Sequence, residues 1–219
     1  MTIRIAVLAS GSGSNLQALL DAIDAGQLQA RIVAVFSDKP GAFALQRVPE
    51  QSRWSRAPKT YPSREAFDAA LADAVAASSP DWVICAGYMR ILGAAFVERF
   101  RGRLLNIHPS LLPNYRGLHT HARVLEAGDR EHGASVHFVT PELDAGAVIA
   151  QAPVSVLPGD TAERLAGRVL QVEHPLLVHV ANLAAAGRLA ERDGVAFIDG
   201  HPLFTPQRLE FFPTLPPIA

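Results

Sequence analysis

The chain has 219 residues, 49% of them hydrophobic and 19% charged, with a formal net charge of −1. That is enough apolar material for a sizeable core, too little charge for a disordered chain, and no basic footprint for a nucleic-acid partner. The single cysteine, Cys85, excludes an intramolecular disulfide, and no run reaches membrane-spanning length, so a cytoplasmic protein with no membrane partner is expected.

Ile3–Ala9 (IRIAVLA) is a nearly continuous apolar run, the pattern of a strand covered on both faces. Ser10–Ser14 must be loop. Leu16, Leu19, Leu20 and Ile23 then fall at helical spacing, with Gly26 to end the helix, and Ala30–Phe36 is the next strand. Ala42–Ser52 reads as a short helix interrupted at Pro49. Ser63 is placed to cap a helix carrying Phe67, Leu71 and Val75. Trp82–Ala86 is a strand in which Cys85 is a core thiol rather than a nucleophile. Ile91–Arg99 reads as a helix that leads into the strand before His108. This alternation predicts an α/β fold: a Rossmann-like, doubly wound sheet with helices on both faces.

Ala134–Val139 and Ala147–Val156 are strands joined only by Thr140–Gly146. That link is short enough for antiparallel pairing, so the sheet is expected to be mixed but mostly parallel. Asp160 followed by Glu163 reads as a capping box that opens a long helix, with Leu165, Val169 and Val172 facing inward. Pro175 should kink or break that helix. Val195–Ile198 precedes a tight-turn signal at Asp199-Gly200, and Pro213–Pro217 reads as a loose tail. With no repeat or linker, one domain over residues 1–219 is expected, its halves spanning about 1–100 and 101–190 before a short C-terminal tail.

Three stretches carry candidate chemistry. Gly11-Ser12-Gly13-Ser14-Asn15 lies between the first strand and its helix, where backbone N–H groups and the helix dipole favour an anion. It lacks the Gly-Lys-Ser/Thr of a triphosphate loop, and Leu16 stands where a dinucleotide fingerprint has its third glycine. A phosphate monoester and an ordinary tight turn both remain open. Leu105–His121 (LNIHPSLLPNYRGLHTH) delivers an amide, Asn106, and an imidazole, His108, to one side of a strand and then into a proline-stiffened loop. An active site and a satisfied strand-end histidine both fit. His119 and His121 add imidazoles, but no carboxylate or thiolate cluster completes a metal set, so loop histidines near a pocket are expected. Asp144, in the loop Glu142–Gly146, either closes a turn or, beside His108, would favour the imidazolium and suit acid–base work.

GSGSN, Ser63-Arg64-Glu65, Gly87–Leu92 (GYMRIL), NIHPSLLP, GLHTH, ELDAG and Gln171–His174 (QVEH) together resemble the phosphoribosylglycinamide formyltransferase family, in the same order, from Ile3 to about Leu189. NIHPSLLP and the ELD-x-G loop alone are shared with other formyltetrahydrofolate enzymes. Methionyl-tRNA formyltransferases normally lack GSGSN and GLHTH and add an RNA-binding domain, which the thirty or so residues after Leu189 are not expected to form. Formyltetrahydrofolate hydrolases add an N-terminal regulatory domain and change the motif after Asn-x-His. The resemblance implies formyl transfer from 10-formyltetrahydrofolate, as cosubstrate, to the amine of the glycinamide ribonucleotide in purine synthesis, without a metal and by a monomer or homodimer.

By motif, the resemblance places the ribonucleotide on Gly13, Ser14, Asn15, Leu170, Gln171, Val172 and Glu173. It places folate on Arg64, Met89, Arg90, Ile91, Leu92, Asn106, Thr140, Pro141, Glu142, Leu143 and Asp144, with Asn106, His108 and Asp144 catalytic. Two departures stand out: Pro175 directly follows Glu173-His174, and Leu170 occupies a position that is often polar. Two other classes remain in view. One is a nucleotide-binding sensor using only the GSGSN loop; the other is a dinucleotide-dependent oxidoreductase drawing on Asp38.

Overall fold

In the computed structural model, residues 2–211 are described. β1 (Ile3–Leu8) lies beside β2 (Ala30–Ser37), which in turn pairs with the short β3 (Arg53–Ser55). On the other side of β1 come β4 (Trp82–Cys85), β5 (Leu104–His108), β6 (Glu131–Phe138), β7 (Val148–Ser155) and β11 (Gln207–Arg208). The order β11-β7-β6-β5-β4-β1-β2-β3 is parallel throughout except that β6 runs against both β5 and β7. The mixed, mostly parallel sheet expected from the sequence is therefore present. Its strand order reverses between β1 and β4, and in such sheets the crevice at the carboxyl ends of those strands is the natural ligand site.

Alternation along the strands divides the core in two. Ile5 and Val7 join Ile84, Leu105 and Val136 under helices α1 (Ser14–Asp24) and α5 (Ala162–Ala185). Ala6 and Leu8 face the other way, toward Phe67, Leu71 and Val75 of α2 (Arg64–Ala77) and Phe96 and Val97 of α3 (Ala94–Arg99). Both faces of the inner strands are dry, which is why they read as unbroken apolar runs. Cys85 is buried in the second layer, and burial pushes its thiol up to about 12.

Several elements differ from expectation. The segment 42–52 forms two 3₁₀ turns, Phe43–Arg47 and Glu50–Ser52, separated at Pro49. The helix expected from Ile91 begins only at Ala94, because Ile91–Gly93 is tied down in loop form: Arg64 donates to the Ile91 carbonyl (2.7 Å) and the Gly93 N–H donates to Asp68 (3.0 Å). α4 (Thr120–Ala127) stands where loop was expected, so His121 is helical, with His119 in left-handed backbone before it. It is only eight residues long and buries only Thr120 and Val124, too few apolar positions to announce a helix.

The long helix is capped by Thr161, whose hydroxyl accepts from the Arg164 N–H (3.3 Å), and not by Asp160. Asp160 instead accepts from the Leu157 N–H and pairs with Arg168. Pro175 does not break α5, which runs on to Ala185. Leu176, Leu177, Val180 and Ala181 beyond it are all buried, and this packing offsets the one backbone bond the proline removes. No helix among the described residues is long and apolar enough to cross a membrane.

The C-terminal stretch is more than a tail. β8 (Leu189–Arg192), β9 (Val195–Ile198) and β10 (His201–Pro202) form a small antiparallel sheet turning at Asp199-Gly200, and β11 returns to the edge of the main sheet. The expectation for Pro213–Pro217 falls outside the described residues.

Candidate active site

A cleft of about 670 Å³ opens at the carboxyl ends of β1, β4 and β5. Asn15 and Glu173 form one end; Tyr88–Leu92, Val139–Pro141 and Leu143 form the other; Asn106, His108, His137 and Asp144 lie on the wall between them. Thus Asn15, Glu173, Met89, Arg90, Ile91, Leu92, Asn106, His108, Thr140, Pro141, Leu143 and Asp144 come together as the motifs suggested. Gly13, Ser14, Arg64, Glu142, Leu170, Gln171 and Val172 are not among the lining residues. Val172 is fully buried on the core face of α5. Leu170 and Gln171 are exposed on that helix, and Glu142 is turned outward to Arg116 (3.0 Å).

The wall that carries Asn106 and His108 is built by strand pairing. β5 and β6 align Asn106 with His137 and His108 with Ser135. Ser135 fastens the loop after His108: its hydroxyl donates to the Ser110 carbonyl (2.6 Å) and accepts from the Leu112 N–H (3.0 Å). The loop after β6 then folds back, so that Asp144 Oδ2 lies 3.4 Å from His108 Nδ1 and accepts from the Gly117 N–H at 2.9 Å. Gly146 makes that return possible, since a Cβ there would sit 1.8 Å from the Phe138 carbonyl oxygen. Asp144 itself holds a positive φ of 48°, a conformation aspartate tolerates better than most residues.

Hydrogen bonding fixes the state of each group. His108 Nε2 lies 3.0 Å from the Tyr115 carbonyl, which can only accept, so Nε2 carries a hydrogen. A second proton on Nδ1 would face the Asp144 carboxylate. His137 has Nδ1 at 2.7 Å from the Phe138 carbonyl and Nε2 at 3.1 Å from Asn106 Nδ2. Burial pushes the His137 pKa well below the usual imidazole value, so the ring is neutral and Nε2 is an acceptor. Its 3.7 Å approach to Asp144 Oδ1 is therefore not an ion pair. Nothing in the sequence motifs marks His137. The available hint is that Ser135 and His137 are polar at alternate positions of the otherwise apolar stretch Ala134–Val139.

At the other end, α1 begins at Ser14 with Gly13 before it at φ 71°. A Cβ on Gly13 would meet the Ala44 Cα at 2.7 Å, so only glycine lets the loop pack onto the 3₁₀ turn of Phe43–Arg47. That turn grips the loop: the Ala44 N–H donates to the Gly11 carbonyl (3.0 Å) and Arg47 to the Ser12 carbonyl (2.9 Å). The first N–H groups of α1 are left free for an anion. Asn15 Nδ2 donates to Glu173 Oε2 at 2.7 Å, while its buried Oδ1 has no partner. Burial raises the Glu173 pKa, and the Asn15 bond works against that rise.

His121 Nδ1 lies 3.0 Å from His132 Nε2, and burial lowers both imidazoles, His132 to about 4. Among the described residues, no group of three or more His, Cys, Asp or Glu side chains could hold a metal. Asp38, the acid a dinucleotide would need for its ribose, already accepts from the Ser10 hydroxyl at 2.5 Å.

A family model described as formyl transferase matches residues 3–181. The chain is 48% identical over 201 residues to phosphoribosylglycinamide formyltransferase of Escherichia coli (strain K12), covering 91% of this chain and 95% of that protein. It is 49% identical over 175 residues to the trifunctional purine biosynthetic protein adenosine-3 of Drosophila melanogaster, covering 78% of this chain and 13% of that much longer protein. Among solved structures, phosphoribosylglycinamide formyltransferase of Coxiella burnetii, in complex with CHES, superposes with a TM-score of 0.89 at 43% identity, covering 95% of this chain and 99% of that one.

Proposed function

The chain belongs to the formyl transferase family, and from that membership we infer that it moves a formyl group from 10-formyltetrahydrofolate to the amine of N1-(5-phosphoribosyl)glycinamide. The reaction is a step of purine synthesis and yields the formylated ribonucleotide and tetrahydrofolate. The observation that carries the reading is the convergence of Asn106, His108 and Asp144 halfway along one cleft, with an anion seat near one end and an apolar slot at the other.

The ribonucleotide phosphate is assigned to the free N–H groups at Gly13, Ser14 and Asn15, and Glu173 to the ribose and glycinamide portion beside it. The folate is assigned to the slot between Met89–Leu92 and Thr140–Asp144. Its rim carries Met89, Ile91 and Leu143, all with exposed apolar side chains that a pterin and its aryl group would cover. Arg64 contributes from behind by holding the Ile91 carbonyl.

In this arrangement the amine attacks the formyl carbon, forming the C–N bond while charge gathers on the formyl oxygen. Asn106 Nδ2 has one N–H committed to His137 and a second free to meet that oxygen. His108, with Asp144 Oδ2 3.4 Å from its Nδ1, is the adjacent proton carrier. Delivering a proton from Nε2 requires the ring to exchange the Tyr115 carbonyl for substrate. As the bond between the formyl carbon and N10 of folate breaks, the proton lost by the amine passes to N10, directly or through water by way of His108. Both substrates are small molecules, and the cytoplasm is the compartment inferred. A spectrophotometric transfer assay tests the reading. His108→Ala should lose roughly 10²–10⁴ in kcat. Folate consumed without formylation of the ribonucleotide would instead make the protein a hydrolase.

A further inference from the structure

Ser10 lies outside the cleft lining, directly before the GSGSN loop, and is almost wholly buried. Its backbone N–H donates to the Gly87 carbonyl (3.0 Å). Its hydroxyl donates to Asp38 Oδ1 (2.5 Å) and accepts from the Met89 N–H (2.9 Å). One residue at the end of β1 thus holds Gly87, which leads into the Tyr88–Leu92 wall, and Met89 within it. Asp38, buried at the end of β2, turns the hydroxyl so that its lone pair faces Met89. Met89 itself is 61% exposed, so side-chain packing does little to hold its backbone and the Ser10 bond does more.

From this geometry we propose that Ser10, oriented by Asp38, is a positioning residue that sets the folate-side wall through the Met89 N–H. The proposal rests on the assignment of that wall to folate. It separates the two substrates, because the phosphate loop has its own supports. The Ala44 N–H and Arg47 hold the Gly11 and Ser12 carbonyls, and neither bond involves the Ser10 hydroxyl. Removing the hydroxyl leaves the Met89 N–H unpaired and lets the wall drift, while the phosphate loop and the Ser10–Gly87 backbone bond remain.

The test is calorimetric titration of wild type, Ser10→Ala, Asp38→Ala and Asp38→Asn with tetrahydrofolate and, separately, with the glycinamide ribonucleotide. Ser10→Ala should weaken tetrahydrofolate roughly five- to tenfold, the net worth of about one hydrogen bond. Ribonucleotide affinity should stay within about twofold. Asp38→Ala should follow Ser10→Ala, whereas Asp38→Asn, which keeps the Oδ1 acceptor, should stay near wild type. In the unliganded proteins, hydrogen exchange at the Met89 amide should speed up in Ser10→Ala and not in Asp38→Asn. Unchanged tetrahydrofolate affinity in Ser10→Ala, or an equal loss for both ligands, overturns the proposal. Wild type that binds the ribonucleotide but no tetrahydrofolate overturns instead the assignment of the wall to folate, and the Met89 exchange rates still show whether Ser10 positions it.

Discussion

An asparagine can stabilise an oxyanion only if its nitrogen, and not its oxygen, faces the substrate, and for Asn106 that choice is made by His137. A neutral His137 with its Nδ1 hydrogen spent on the Phe138 carbonyl offers only a lone pair, which Asn106 must meet with Nδ2. Asn106→Ala should lower kcat by roughly 10²–10³, the cost of one oxyanion donor. His137→Ala should cost less, about tenfold in kcat with little change in either KM, since it frees the amide to flip without removing it. An intact kcat in His137→Ala would refute that orienting role. Glu173 presents the opposite electrostatics. Its pKa is raised by burial, so the folded protein resists ionising it more than the unfolded chain does. The contribution is therefore favourable below the ordinary carboxylate value and is lost as pH rises through the folded pKa. Glu173→Gln keeps an acceptor for Asn15 and removes the charge, so its Tm should exceed that of wild type at pH 7.5 and the gap should close near pH 4. Its KM for the ribonucleotide should still rise.

Helix α5 shows where sequence patterns decide an element and where they do not. Leu165, Val169 and Val172 mark its buried face, but Pro175, which the sequence alone reads as a kink or a break, does not end the helix, because ten buried residues along it hold it together. The proline still leaves the Gln171 carbonyl without its usual donor, two residues before Glu173. Pro175→Ala should therefore raise stability by about 2 kcal/mol, the helix-interior penalty less the entropy that proline removes from the unfolded chain. Thermal unfolding measures this, and a lower Tm would mean that the proline fits its site without strain. α4 and Ile91–Gly93 failed for complementary reasons. α4 is short with only two buried side chains, whereas Ile91–Gly93 continues a helical pattern but is held in loop form by Arg64 and Asp68 from another helix. Local periodicity cannot see a partner that arrives from about thirty residues away in the chain.

At the scale of the molecule, the doubly wound sheet and the motif-bearing loops were legible because buried parallel strands and glycine-rich turns write themselves as local patterns. The pairing of Asn106 with His137 and the return of Asp144 to His108 were not, since they depend on the register of β5 against β6. The C-terminal return was equally hidden, because two-residue strands carry no period. Yet β11 closes the edge of the main sheet. Gln207 and Arg208 pair with Ala150 and Gln151, the Leu209 N–H donates to the Gln151 carbonyl (2.9 Å), Gln207 Oε1 meets His179 (2.9 Å), and Arg208 pairs with Glu131. Leu203, Leu209 and Phe211 pack against the core beside it. Deleting residues 203–219 uncovers both the apolar side chains' seats and the backbone of β7, an unpaired edge that invites a second chain. The loss of three partly buried side chains is worth about 2–4 kcal/mol, so the truncated protein should melt several degrees lower. It should also sediment as larger species as concentration rises, while the full chain's distribution does not shift over the same range. Transfer activity per folded molecule should be preserved at low concentration, because no described residue of this segment lines the cleft. A truncated protein with an unchanged Tm and no added self-association would show that β11 guards nothing.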